Sequence, residues 1–168
     1  MPDKRTIEKA RQDKRAGKSP STQAGEFVKA QIDKIRAGKH GARSTKQAIA
    51  IGLSEARRAG VDLKPPKKGR TSARTRKSAE YAYAAGQGKR KPKRQPRVAR
   101  AARRTLEHEP RSTASHAALS RQAKGAAKRR SSASRSAAAK QAARTKGAAG
   151  RSAAARKAAR TRARNRKR

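Results

Sequence analysis

Residues 19–63 read SPSTQAGEFVKAQIDKIRAGKHGARSTKQAIAIGLSEARRAGVDL. They hold nine of the sixteen large apolar side chains in the 168-residue sequence: Phe27, Val28, Ile32, Ile35, Ile49, Ile51, Leu53, Val61 and Leu63. A packed core, if the chain has one, belongs here. Ser19 before Pro20 fits a helix N-cap with proline in the first helical position. Phe27 and Val28, Ile32 and Ile35 then recur at helical spacing until Gly38 supplies a C-terminal stop. The spacing predicts one helix from Pro20 to about Ala37. Ser44 with Gln47 three residues on fits a capping box, and Ala48, Ile49, Leu53 and Ala56 line one face before Ala59 and Gly60. That predicts a second helix from Thr45 to about Ala59. The short, glycine-flanked connection from Gly38 to Arg43 joins the two as an αα-hairpin.

Gly52 admits two readings. In one the second helix runs through it, at a cost of ~1 kcal/mol relative to alanine. In the other Gly52 is the turn of a helix-turn-helix and Ser54 caps a recognition helix. The position six residues after that glycine should be apolar but is Arg58. The stretch from Ser54 to Gly60 is also short, which favours the continuous helix.

Outward from this segment, charge dominates. The chain carries 50 Lys and Arg against 10 Asp and Glu, a net charge of +40. Of its apolar residues 38 are Ala, and there is no Trp. Sixteen large side chains at roughly 1.5–3 kcal/mol each fall short of about 1–2 kcal/mol per residue of backbone ordering entropy. Composition therefore predicts a mostly disordered chain with a small all-α helical hairpin and an Ala/Arg-rich tail that is disordered or becomes helical on binding. A hairpin of this size is marginal alone. Its apolar face (Phe27, Val28, Ile32, Ile35, Ile49 and Leu53) is expected to serve self-association or a protein partner.

Four segments follow. Residues 1–18 are polar, with a possible helix from Asp3 to Ala16 ended by Gly17. Residues 19–63 are the hairpin. Residues 64–109 are a basic linker opened by Pro65-Pro66, which no helix continues through. Inside it Ala79 to Ala85 can be helical before Gly86, whereas Val98 and Leu106 read as too far apart to define a face. Residues 110–168 are the tail. Basic against acidic side chains number 15 to 7 in residues 1–63, 16 to 3 in residues 64–109, and 19 to none in residues 110–168.

A tail with no internal counter-charge needs an external polyanion. It also contains a repeat: RSAAAKQAARTK at residues 135–146 returns as RSAAARKAARTR at residues 151–162, nine of twelve positions being identical. Like-charge repulsion is expected to keep these units unfolded alone. Neutralisation would then make them helical, with Arg156, Arg160 and Arg164 along one face. Phosphate contacts release condensed counterions, with a salt slope of about −0.9 per contact on duplex DNA. The candidate nucleic-acid residues are Arg129, Arg130, Arg135, Lys140, Arg144, Lys146, Arg151, Arg156, Lys157, Arg160, Arg162, Arg164, Arg166, Lys167 and Arg168, extended by Lys89, Arg90, Lys91, Lys93 and Arg94. A Gly/Ser/Ala-rich tail lacks the rigid element that base readout needs, so backbone binding without sequence preference is the default.

These observations predict a non-specific nucleic-acid binding or compacting protein, DNA preferred and RNA possible. The alternatives are an RNA- or ribosome-associated basic protein and an adaptor whose hairpin holds a protein partner. Tyr81 and Tyr83 at i, i+2 do not share a helix face, which disfavours an RNA-recognition fold. The chain has no Cys, His40, His108 and His116 are scattered, and no glycine-rich phosphate loop is present. No enzyme activity, cofactor or metal is expected. With no apolar stretch near the ~20 residues of a membrane span and no apolar leader, the expected setting is cytoplasmic, at the nucleoid.

Two resemblances add to this. Residues 19–66, above all GARSTKQAIAIGLSEARRAG at residues 41–60, resemble a small uncharacterised family of bacterial proteins often followed by a basic tail. The Ala/Lys/Arg tail is similar to histone H1-type C-terminal tails and the H1-like proteins of bacteria, though Arg-rich and Pro-poor where that pattern is rich in Lys and Pro. Together the resemblances imply a bacterial cytoplasmic or nucleoid protein. The first brings no activity with it.

Overall fold

The computed structural model describes residues 3–91 and 95–166. Among them are α1 (Lys4–Arg15), α2 (Pro20–Arg36), α3 (Thr45–Arg58), α4 (Ala73–Gly86), α5 (Pro96–Glu107), a 3-10 turn (Ser112–Ala114), α6 (His116–Lys128) and α7 (Ser132–Arg166), with no strand. The chain forms two compact units, Met1–Gln122 and Ala123–Arg168. The expectation of a mostly disordered chain with a lone hairpin is therefore overturned. The reason lies in small residues: Ala and Gly let backbones come close, so few large side chains are needed to fill what remains.

The hairpin sets the first unit. Ser19 Oγ accepts from the Thr22 amide at 3.3 Å, opening α2 with Pro20 at its first position. At the other end Gly38 takes φ +75°. There Lys39 N donates to Lys34 O and Gly38 N to Ile35 O, both at 3.0 Å, the paired bonds of a Schellman stop. Ser44 Oγ accepts from Gln47 N at 3.2 Å to open α3, while Gln47 Oε1 accepts from Arg43 N at 2.7 Å. The return bond thus falls one residue upstream of the amide that a capping box uses.

α3 runs unbroken through Gly52, so the helix-turn-helix geometry does not form. Instead Gly52 lies against α2. A Cβ there would stand 2.6 Å from Val28 Cα and 2.8 Å from its nitrogen. α1 packs on α2 and α4 on α3. Two apolar clusters result. One joins Ala10, Ala24, Phe27, Ala56 and Val61, with Ile7, Leu53, Ala59 and Leu63 against it. The other joins Ile32, Ile35, Ala42, Ala48 and Ala114, with Val28 and Leu119 against it.

The segment from Leu106 to Ser115 forms a strap over the turn of the hairpin. Gly41 N donates to Leu106 O at 2.7 Å and Ala42 N to Pro110 O at 3.2 Å. Thr45 Oγ1 donates to Thr113 O at 2.7 Å, Thr113 Oγ1 to Ala42 O at 3.1 Å, and Arg36 Nε to Ala114 O at 2.8 Å. Ala114 is wholly buried. Beside the strap, the buried Gln31 amide donates to Glu55 Oε2 at 2.6 Å, and its carbonyl lies 3.1 Å from His40 Nε2. Among the described residues no buried side-chain nitrogen or oxygen lacks a hydrogen-bond partner.

In the second unit, Ser131 Oγ accepts from Ser134 N at 3.2 Å to open α7. The helix breaks at Gly147 (φ 65°, ψ 175°). Across the break Arg151 Nη1 donates to Ala143 O at 2.8 Å, placing a cation on a helix C-terminal carbonyl. The tail is helical, contrary to the expectation of disorder. Alanine's propensity outweighs i,i+4 repulsion of only about 0.2–0.5 kcal/mol per pair.

Candidate nucleic-acid interface

α7 carries the main candidates. Arg135, Lys140, Arg144 and Lys146 lie before the Gly147 break, and Arg151, Arg156, Lys157, Arg160, Arg162, Arg164 and Arg166 after it; all are exposed. Arg156, Arg160 and Arg164 follow one another at i, i+4 and i+8 along one side, as the spacing implied. Arg129 and Arg130 stand between α6 and α7, where Arg130 Nε donates to Ser134 Oγ at 3.3 Å. Lys167 and Arg168 lie outside the described residues, as do Lys93 and Arg94. Lys89, Arg90 and Lys91 are exposed in the connection after α4, and the Arg90 guanidinium sits 4.6 Å from the centroid of the Tyr81 ring, a cation–π contact.

The charge balance explains what these groups are free to do. Among the described residues the ion pairs are Arg15–Glu8, Lys18–Asp13, Lys29–Asp33 and Arg76–Glu80. All lie within the first unit. None involves α5 or α7. The Tyr83 hydroxyl donates to Asp62, and this hydrogen bond to a carboxylate raises the phenol pKa above its ordinary value. Arg57, nearly buried, donates from Nε to Leu63 O at 3.1 Å, and burial lowers its pKa.

The first unit holds a basic surface that the spacing of Val98 and Leu106 concealed. Those residues are eight apart on α5 with Ala102 midway, and at roughly 100° per residue all three share one side. Arg97, Arg100, Arg103 and Arg104 occupy the other. The signal was present in that separation of types, but two large side chains alone were too few to show it. Val98 is 60% exposed. Ala99, Ala102, Arg103, Leu106 and Glu107 line, with Lys39 and His40, a cleft of about 420 Å³, so Arg103 stands at the edge of the basic side.

The residues expected to form a docking face divide. Phe27, Ile32 and Ile35 are buried in the core, while Val28, Ile49 and Leu53 are half-buried. Among the described residues no cluster of His, Cys, Asp or Glu is placed to hold a metal, and no helix is long and apolar enough to cross a membrane.

The first unit is thus a small, capped, alanine-packed helical fold with basic helix surfaces. Residues 4–68, from the start of α1 into the connection before α4, match the model of a family of unknown function, DUF6496. The match places that part of the chain beside an uncharacterised family and leaves α4, α5, α6 and α7 outside it. No curated protein and no solved structure matches the chain.

Proposed function

We propose that this protein binds duplex nucleic acid, DNA first, through phosphate contacts made chiefly by α7 and supported by the arginine side of α5. The observation that carries this reading is the acid-free α7, whose described cations are all exposed and none of which has a carboxylate partner. Each phosphate neutralised releases condensed counterions, so binding is strong at low salt and falls steeply as salt rises. Base readout is not part of the reading: the arginines of α7 stand among Ala, Ser and Thr, with no second element to fix a register in a groove. Duplex is favoured over single strands because the tyrosines that would stack on unpaired bases are engaged, Tyr83 with Asp62 and Tyr81 with Arg90. A histone-like role at the bacterial nucleoid is the setting this chemistry fits.

Competition binding of the full chain between duplex DNA and structured RNA, over a salt series, tests it. Six to ten engaged phosphates predict a loss of ~10³–10⁵ in affinity between about 50 and 200 mM salt, with duplex DNA held more tightly throughout. Equal affinity with parallel slopes for the RNA would defeat the preference for DNA.

A further inference from the structure

Each half of α7 repeats one arrangement of charge. Arg135, Lys140, Arg144 and Lys146 recur sixteen residues on as Arg151, Arg156, Arg160 and Arg162. At roughly 100° per residue, Lys140 and Arg144 stand about 140–180° around the helix from Arg135, while Lys146 returns to within about 20° of it. The second half does the same: Arg156, Lys157, Arg160 and Arg164 share one side, and Arg151, Arg162 and Arg166 share the opposite one. Small residues fill the flanks between. Both sides are exposed.

A helix laid along one duplex turns only one of these sides to the phosphates. α7 breaks at Gly147, so each half is a separate helix of roughly four to five turns with its own two sides. The side facing away keeps its full charge beside a surface already committed to polyanion. We infer that each half of α7 bridges two duplex segments, one on each of its basic sides, and so draws duplexes together rather than coating a single one. This rests on the duplex-binding reading above.

The test uses the full chain, a bead-bound duplex and a second, labelled duplex of unrelated sequence, with capture read once the bead-bound duplex is saturated. Binding to a single duplex is measured in parallel by fluorescence anisotropy over a salt series. Two variants each clear one side of each half: R135Q/K146Q/R151Q/R162Q/R166Q and K140Q/R144Q/R156Q/K157Q/R160Q/R164Q. A third, R135Q/R144Q/R151Q/R160Q/R164Q, removes as many charges as the first but leaves both sides of each half populated. Glutamine is nearly as good a helix former as arginine, and circular dichroism checks that α7 persists. Each one-sided variant is expected to keep a salt slope within about one unit of wild type yet lose capture at least ~10-fold. The two-sided variant is expected to show a slope shallower by about 2 and to keep capture within ~3-fold. Equal loss by all three variants would make charge number, not its placement, the cause and overturn the bridge. Capture by both one-sided variants would assign the bridging to protein–protein contact, with the same consequence. Wild type that binds one duplex and captures no second would mean both sides serve one groove. Wild type that binds no duplex would remove the underlying reading and the bridge with it.

Discussion

Gly52 stands mid-helix, where glycine costs about 1 kcal/mol relative to alanine, and its use is the approach of α3 to the Val28 backbone. A methyl group at 2.6 Å from Val28 Cα must push the helices apart. Overpacking of that kind costs about 1–3 kcal/mol and outweighs the regained propensity. Gly52→Ala is therefore expected to lower the urea midpoint, and a variant as stable as wild type would show that the helices do not close there. Tyr83 offers a second test through pH. Its pKa is raised in the folded chain by the bond to Asp62. The contact is therefore fully present below the ordinary phenol value of about 10 and is lost as pH rises through the higher folded value. In a Tyr81→Phe background, spectrophotometric titration should find Tyr83 ionising late, and Asp62→Ala should bring it earlier. A titration unmoved by Asp62→Ala would remove the contact.

At the scale of elements, α2 and α3 were legible because their ends are written in residues with one dominant meaning: Ser19-Pro20, Gly38, Ser44 and Gly60. α1 was half-legible, since Gly17 marks its stop while its face offers only Ile7 and Ala10. The strap and α5 were not legible. Thr113 and Ala114 hold the strap through hydrogen bonds and a methyl group, which a count of large apolar residues does not register. The helical tail was misjudged for a different reason: repulsion between its cations was weighed above the propensity of its alanines. α5 also carries a prediction. Replacing Arg97, Arg100, Arg103 and Arg104 together by Gln should make the salt slope of duplex binding shallower by up to about 3–4 without lowering the thermal midpoint, because none of the four is buried. An unchanged slope would confine the interface to α7.

For the whole molecule, a net charge of +40 acts on stability and on binding in opposite directions. Self-repulsion strains the free fold, and salt screens it. Salt also competes with phosphates. Added salt is thus expected to raise the Tm of the free protein and to lower that of its complex with duplex DNA, the two curves converging; scanning calorimetry over a salt series reads both. A free-protein Tm that falls with salt would show repulsion to be unimportant.

The strap has a temporal consequence as well. Thr113 and Ala42 are 71 residues apart in sequence, whereas α1, α2 and α3 pair with their sequence neighbours. Local pairs form early, and a long loop closes only after the chain between has been ordered. The strap is then the last part of the first unit to fold and the first to open. Native-state hydrogen exchange should find the amides of Gly41 and Ala42, which donate to the strap, released by a partial opening that leaves the centres of α2 and α3 protected. Exchange of all of them together would make the unit a single cooperative block.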